Sequence, residues 1–423
     1  MFGKGALIMV MGAVIIFSLY QLKLNRSILS TTDNFNRQYT KTTLEAAAQS
    51  AMNYAVNDIL KSPTGSTLDK NYFIYSHNCT SQVVVKSTGN DVKASVVSNG
   101  WVVDEFDAEK MRRAQDSVVA LFTSESSMSK YGWWTDNENG VFWITGDTVW
   151  GRMHSNSMIH TSGSPVFEKK LTSSLGINPK VKFSSAVFNG GYEKIEQQDM
   201  PTDMSDLENR ATAGNGGAAV NTMCLYDQTL ALEFFDDGTV GRTTGGVTDT
   251  VLLSAIAPTG AIWSTAEVRV KGKVNGQVSI LAEDIWIDDD IVMAVDPMTN
   301  PMSDDVLGLI ARDDIFVTNN TANNTNCVIQ AGLCAIDGSF QAEDAPSRPV
   351  SGTLTIYGSI AQKKRGAIGK FNNSNTITHG FLKSYYHDKR FDPDYQDDPN
   401  VNYISPPGYP KLPGNLSLVY WWE

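Results

Sequence analysis

Several features typical of nucleic-acid-binding proteins and enzymes are scarce in this sequence of 423 residues. Lysine and arginine total 34 against 46 aspartate and glutamate residues, which gives a formal net charge of −12. Because nucleic-acid affinity depends largely on clustered basic side chains, this balance argues against a nucleic-acid partner. Charged residues are only 19% of the chain and apolar residues are 41%. That composition suffices for a buried core, so wholesale disorder is excluded.

Metal-ligating and nucleophilic side chains are also few. The chain has four cysteines, and none of them forms the closely spaced CxxC pair of a structural zinc site. The spacing predicts a local disulfide between Cys327 and Cys334 and a second between Cys79 and Cys224, with free buried thiols as the alternative. No Ser-His-Asp or Cys-His grouping is readable. We therefore expect no catalytic residues, no metal site and no enzyme activity.

Acidic pairs and one basic spot stand out from the polar background. The acidic clusters are Asp236–Asp237, Asp288–Asp290, Asp304–Asp305 and Asp313–Asp314. They fall at predicted turns, where solvated aspartate is ordinary, so we expect no cofactor; calcium is the one alternative that such oxygen ligands favour. The basic spot at Lys363–Gly366 is interpreted as a solvated turn or an intersubunit charge contact.

One long apolar run begins near the N-terminus. Residues 5–20 carry no charge, and Lys4 and Lys23 flank the run. As a helix, sixteen residues reach roughly 24 Å, slightly short of a bilayer core of about 30 Å. A cleaved secretory signal and a buried core helix are the alternatives, but we favour a single helix in a membrane or a filament core. The side chains that we expect to make assembly contacts are Leu7, Ile8, Val10, Val14, Ile15, Ile16 and Phe17.

The residues after the apolar run predict a longer helix and a small sheet. Helical spacing and a high alanine content continue the helix over 36–60, and Ser62–Gly65 ends it. Alternating segments then predict an antiparallel meander, with Ser98–Gly100 as one of its turns and a helix over 107–122 after it. The predicted strands cover 72–75, 82–87, 92–97 and 101–103.

From about Val141 the chain repeats short apolar segments that turn at glycine. Residues 281–287 are echoed by 310–317, and residues 336–340 by 356–360. A period near twenty with short strands predicts a coil of stacked rungs. We therefore expect a mainly β chain, with an irregular right-handed parallel β-helix as the body and a β-sandwich or jelly-roll as the alternative. A short helix at 203–213 and a hairpin around Asp236–Gly238 interrupt the rungs.

The N-terminal quarter resembles the type IV pilins and pseudopilins. The resemblance rests on the short basic leader ending in Gly5, the hydrophobic helix from Ala6, its amphipathic continuation and the small sheet. It implies processing between Gly5 and Ala6 and packing of the hydrophobic helices in a filament core. Counted from Ala6, the fifth position is Val10, where this family usually has glutamate.

About two thirds of the chain resembles an uncharacterised bacterial family that pairs a pilin-like N-terminus with a β-helical exported region. The resemblance rests on Val149–Phe167, Phe188–Tyr192, Leu309–Val317, Tyr385–Phe391 and Pro406–Pro410, together with the Asp-Asp-Gly hairpin. It implies an envelope or pilus-assembly location and no particular reaction.

The sequence therefore predicts four parts: a helix (1–62), a small meander with a helix (63–130), a β-helical body (131–382) and a proline-rich strap or cap (383–423). We expect a structural subunit of a surface filament, with copies of itself or other pilin-like subunits as partners and the inner membrane as its site before assembly. A membrane-tethered adhesin that binds surface glycans is the alternative, and a polysaccharide-active enzyme on the same scaffold is a weaker one.

Overall fold

A computed structural model describes residues 2–61, 70–76, 79–88, 91–104, 107–178, 185–372 and 376–422. The helices are α1 (Phe2–Leu60), α2 (Ser205–Asn215) and α3 (Leu253–Ile256). The strands of the first part are β1 (Lys70–Ser76), β2 (Cys79–Thr88), β3 (Asp91–Asp104), β4 (Asp107–Ser127), β5 (Trp133–Asn137), β6 (Phe142–Ile144), β7 (Thr148–Val149), β8 (Met153–Ser155), β9 (His160–Ser162), β10 (Val166–Phe167), β11 (Leu171–Ser173), β12 (Val187–Phe188) and β13 (Tyr192–Lys194).

The remaining strands follow the break at α2. They are β14 (Leu225–Tyr226), β15 (Leu230–Phe234), β16 (Thr239–Thr244), β17 (Val247–Leu252), β18 (Ala261–Ser264), β19 (Val268–Val274), β20 (Gln277–Ala282), β21 (Ile285–Met293), β22 (Val306–Ala311), β23 (Ile315–Val317), β24 (Cys327–Ala335), β25 (Phe340–Ala342), β26 (Val350–Lys364), β27 (Gly369–Phe371), β28 (Ile377–His387) and β29 (Lys411–Trp422). The chain forms two compact units, Met1–Glu125 with Pro413–Glu423, and Ser126–Leu412.

The first unit packs the second half of α1 on a five-stranded sheet, in the order β1-β2-β3-β4-β29. The pairs β1–β2, β2–β3 and β3–β4 are antiparallel. Helical spacing along α1 and alternation along the strands bring one apolar face of each element together. The resulting core contains Ala48, Ala51, Met52, Ala55 and Ile59 of α1 and Val83, Val85, Ala94, Val96, Val118, Ala120 and Phe122 of the sheet.

Two local predictions in this unit are wrong. The predicted helix at 107–122 is strand β4, which pairs with β3 along its length and buries Val118, Ala120 and Phe122 on one face. The predicted turn at Ser98–Gly100 lies inside strand β3. Pairing partners and the face of α1 therefore override the local turn and helix preferences. The predicted helix end at Ser62–Gly65 lies outside the described residues.

The second unit is a stack of short strands whose ladders are mostly parallel. One series of neighbours runs β14-β18-β20-β22-β24-β26, and a second runs β15-β19-β21-β23-β25. Such pairing between successive turns of the chain is the arrangement of a parallel β-helix, whereas a sandwich or jelly-roll is built from antiparallel pairs. The prediction of a long N-terminal helix followed by a large, mostly β body is confirmed.

The echoes in the sequence have different outcomes. The first is confirmed, since Leu281 pairs with Ile310 and Ile287 with Val317 on adjacent rungs. The segments 336–340 and 356–360 are not paired with each other, since Phe340 pairs with Ile315 and Ser359 pairs with Gly332. The predicted helix and hairpin are present as α2 and as the antiparallel pair β15–β16.

The order of rungs in space differs from their order in sequence. Strand β26 pairs on its far side with β5, the first strand of this unit, and β5 pairs with β8. The rungs formed by residues 133–194 therefore continue the stack beyond the last rungs of the chain. We call the boundary between β26, β28 and the strands of residues 133–149 the rung junction.

Candidate functional site: the exposed segment of α1

The first half of α1 is apolar and has no covering layer within the described residues. An 18-residue window of this helix has a mean hydropathy of 2.0 and none of it is buried. Among the described residues, α1 is the one helix long and apolar enough to cross a membrane. We call residues 7–29 the leading segment. Its exposed side chains include Leu7, Ile8, Met9, Val10, Met11, Val14, Ile15, Ile16, Phe17, Leu19, Tyr20, Leu22, Leu24, Ile28 and Leu29.

The seven predicted assembly residues all lie in the leading segment. Their side chains are between 57% exposed, at Ile15, and 71% exposed, at Ile8. Successive residues such as Leu7, Ile8 and Met9 are all exposed, so the apolar surface runs around the whole helix and not along one stripe. Removing one such side chain from water contributes about 1.5–3 kcal/mol, so the segment favours any apolar environment.

Charged side chains enter α1 at Lys23 and Arg26, within the leading segment, and continue beyond it. Asp33 and Arg37 form an ion pair of 3.0 Å, and Lys41 and Glu45 form one of 3.5 Å. Both pairs are exposed, and each joins two residues that are one helical turn apart. Such pairs contribute little to stability and mainly keep this surface solvated. From Leu44 onward one face of the helix is buried. A single helix thus carries an apolar half that the described part of the chain does not cover and a half that packs on its own sheet.

Gly5 and Ala6 lie inside α1, which begins at Phe2. Processing between them remains a prediction.

The predicted disulfides are wrong. All four cysteines are free and buried. Cys327 and Cys334 lie at opposite ends of strand β24, where seven residue steps of roughly 3.3 Å separate them far beyond the reach of a disulfide. Cys224 packs 3.0 Å from the position of a Cβ on Gly214, and Cys79 lies next to Gly100, each within its own unit.

Repeat stacking gathers acidic residues that are apart in the sequence. Oxygen atoms of Asp284, Asp313 and Asp314 lie within 4.8 Å of one another. Asp284 accepts a hydrogen bond from the Asp314 backbone N–H, and Asp314 accepts one from the Ser339 N–H. Burial, with Asp313 and Asp284 nearby, raises the pKa of Asp314. These carboxylates brace the turns between rungs, and the echo of 281–287 by 310–317 was the sequence signal for their proximity.

The prediction of a solvated turn at Lys363–Gly366 is wrong for Arg365. Its side chain is buried at the rung junction and forms an ion pair of 2.8 Å with Glu138, which is buried too. A second buried pair joins Lys383 to Asp147 at 2.9 Å. Burial, with Arg365 nearby, lowers the pKa of Lys383 to about 8. Sequence analysis missed this group because each pair joins residues more than 200 positions apart.

Comparisons with known proteins give little further information. No protein-family model matches this chain. No curated protein matches it either. Among solved structures, the competence-associated pilin ComZ from Thermus thermophilus aligns with 90% of this chain and 96% of its own, at 12% identity and a TM-score of 0.34. At that TM-score the two folds differ too much for the likeness to carry a functional argument.

Proposed function

We propose that this chain is a structural subunit of a pilus-like surface filament. The leading segment of α1 holds the chain in the inner membrane before assembly and packs against copies of itself or related subunits afterwards. The β body remains in water. The observation that carries the proposal is one continuous helix whose first half is exposed and apolar while its second half is buried on the sheet.

The two halves of α1 support different parts of this proposal. A simple membrane anchor needs only hydrophobicity, whereas a subunit also needs a rigid connection between the anchor and the exported domain. Here the helix of 59 residues, roughly 88 Å long, is continuous with a face that packs on the antiparallel sheet. A displacement of the leading segment is therefore transmitted directly to the sheet unit.

A scrambled leading segment separates anchoring from assembly. The variant keeps the composition of residues 7–22 but permutes their order, so it preserves hydropathy and changes which side chains meet between helices. Both chains should fractionate with membranes. We expect electron microscopy of sheared cell-surface material to show fibres containing the natural chain and none containing the scrambled one.

Two results would contradict the proposal. Fibres of equal abundance from the scrambled chain would show that specific helix packing is not required. Absence of the natural chain from any ordered assembly, with only monomers after detergent extraction, would reduce the leading segment to an anchor.

A further inference from the structure

The rung junction is joined by shorter ladders than the middle of the stack. Strands β28 and β7 pair there at a single position, Tyr385 with Val149, and β26 pairs with β5 only over residues 360–364. Strands β24 and β26, by contrast, pair over the whole length of β24. Side chains therefore carry a larger share of the connection at the junction than elsewhere in the stack.

One ion pair at this junction joins a lysine and an aspartate that are both buried. Nζ of Lys383, on β28, lies 2.9 Å from Oδ2 of Asp147, in the turn before β7, and the two side chains are 9% and 7% exposed. In every other lysine–carboxylate pair of the described residues, the lysine side chain is at least 36% exposed. The pair of Lys363 with Asp136 has the same distance of 2.9 Å but is one of these exposed pairs.

Aromatic side chains make the surroundings of Lys383 apolar. Its Nζ lies 5.4 Å from the ring centroid of Trp143, which is fully buried. Tyr385, two residues further along β28, is also buried and stacks on Trp133 with ring centroids 5.7 Å apart. Two charges in such a site lose most of their solvation, so any change that converts them into neutral groups is favoured.

The nearby Arg365 favours the neutral amine form of Lys383. Glu138 fixes the Arg365 guanidinium through a buried ion pair of 2.8 Å. Burial, together with this positive charge, lowers the pKa of Lys383 to about 8, whereas an exposed lysine has a pKa of about 10.4. The proton that the amine gives up can pass to Oδ2 of Asp147, which already accepts its hydrogen bond. An uncharged amine beside a carboxylic acid is the reactive form of the pair.

From these observations we infer that Lys383 and Asp147 react with each other to form an isopeptide bond. Nζ attacks Cγ of Asp147, a second proton moves from Nζ to the departing oxygen, the Cγ–O bond breaks and one water molecule leaves. An ammonium and a carboxylate group thus become one neutral secondary amide and one water molecule, and no oxidant or cofactor is required. Fixing the two groups in contact favours the reaction, since effective concentrations in well-oriented pairs reach about 10⁵–10⁸ M.

The structure also provides a place for the released water. Lys383 lines a cavity of about 170 Å³ at the rung junction. One water molecule takes up about 30 Å³, so the cavity has room for it. The product links residues 236 positions apart and connects β28 covalently to the turn before β7, where backbone pairing is short. This inference does not depend on the proposed role of α1.

Mass spectrometry of the full natural chain, purified in detergent and then denatured, tests the inference. The bond lowers the mass of the chain by one water molecule and prevents trypsin from cleaving after Lys383. We expect residues 131–152 and residues 371–389 to be recovered as two linked tryptic peptides, and fragmentation should place the link between Lys383 and Asp147.

Lys383→Arg is the matched variant, because a guanidinium can keep the ion pair with Asp147 but stays protonated and does not form the amide. This variant should have the mass of an unlinked chain, and it should melt at a lower temperature because it lacks the covalent link. The Lys363–Asp136 pair is the control within the natural chain. Trypsin should cleave after Lys363 as usual, since that lysine is exposed to water and remains charged.

Two results would overturn the inference. The first is a natural chain with the mass of an unlinked chain of the same N-terminus, cleaved by trypsin after Lys383. The second is a link that fragmentation places on Asp136 or Glu138, which lie in the same tryptic peptide as Asp147. Both results come from the natural chain, so they decide the question even if Lys383→Arg does not fold.

Discussion

At the scale of single residues, Gly100 shows how the sheet accommodates α1. A Cβ atom at this position of β3 would lie 2.7 Å from Cδ2 of Leu44 and 3.4 Å from Sγ of Cys79. Strand glycines of this kind permit the close approach of another element. The Asn-Gly pair that predicts a turn is thus a packing contact, which explains why local sequence rules fail there.

Gly100→Val is expected to destabilise the sheet unit by about 1–3 kcal/mol, the usual effect of overpacking a core. Its melting temperature, measured in detergent, should fall accordingly. The double variant with Leu44→Ala should recover part of the loss, since it removes the side chain that the introduced valine would displace. If the stability losses of Gly100→Val and Leu44→Ala simply add in the double variant, that result would contradict the contact between positions 100 and 44.

The free cysteines lead to a second prediction. Burial raises the pKa of the Cys327 thiol to about 12, and burial raises that of Cys334 further. Only the thiolate reacts with iodoacetamide, so labelling of the folded chain should stay absent between pH 7 and pH 9. An exposed thiol with a pKa near 8.5 would gain more than about tenfold in rate over that range.

Mass spectrometry checks this prediction. The folded chain should carry no label, and the chain unfolded without reductant should carry four. Two labels after unfolding would show a disulfide and would contradict the free state of the cysteines.

At the scale of elements, the rungs differ in how completely their neighbours cover them. Every residue of β22 is buried, and this strand pairs with β20 on one side and β24 on the other. Every residue of β13 is exposed, and its one described ladder is with β11. The stack is therefore tightest in the middle and weakest at the β13 end.

Hydrogen exchange should follow this gradient. Opening free energies within one protein range from near zero at frayed ends to the global value in the core. We expect amides of residues 306–311 to exchange at least about 100-fold more slowly than those of residues 192–194, measured by mass spectrometry of peptides. Equal rates in the two regions would mean that the body opens as one unit.

The sequence predicts elements well where the determining contacts are local. The apolar run identifies α1, Asp-Gly identifies the β15–β16 hairpin, and the echo of residues 281–287 gives the stacking of successive rungs. Strand β4 was predicted as a helix because residues 107–115 contain strong helix formers, and only pairing with β3 makes them extended. The rung junction was not predictable, since nothing local signals that β26 meets β5.

The candidate site, like the fold, was predictable from the sequence only where the determining features are local. The uncharged part of the leading segment, residues 7–20, was predicted, because hydropathy over consecutive residues depends on the sequence alone. The cavity was missed, because Arg365 reads locally as part of a basic turn and its partner Glu138 lies 227 positions away. Partner identity decides whether such an arginine is solvated or buried.

At the scale of the whole molecule, the chain combines a polar, acidic body with an apolar helix half that the described residues leave uncovered. The net charge of −12 favours mutual repulsion and solubility of the bodies, whereas the leading segment favours burial. These opposed tendencies suit a subunit whose helices are shielded together while its bodies stay in water.

The most direct test measures the surroundings of the leading segment. Because the native cysteines are buried, Val14→Cys and Asn53→Cys each add one reactive thiol for an environment-sensitive fluorophore; both positions are exposed on α1. In phospholipid vesicles, a label at position 14 should emit at short wavelength and resist quenching by iodide, while a label at position 53 should emit as in water and be quenched. Equal aqueous emission and equal quenching at both positions would contradict the account.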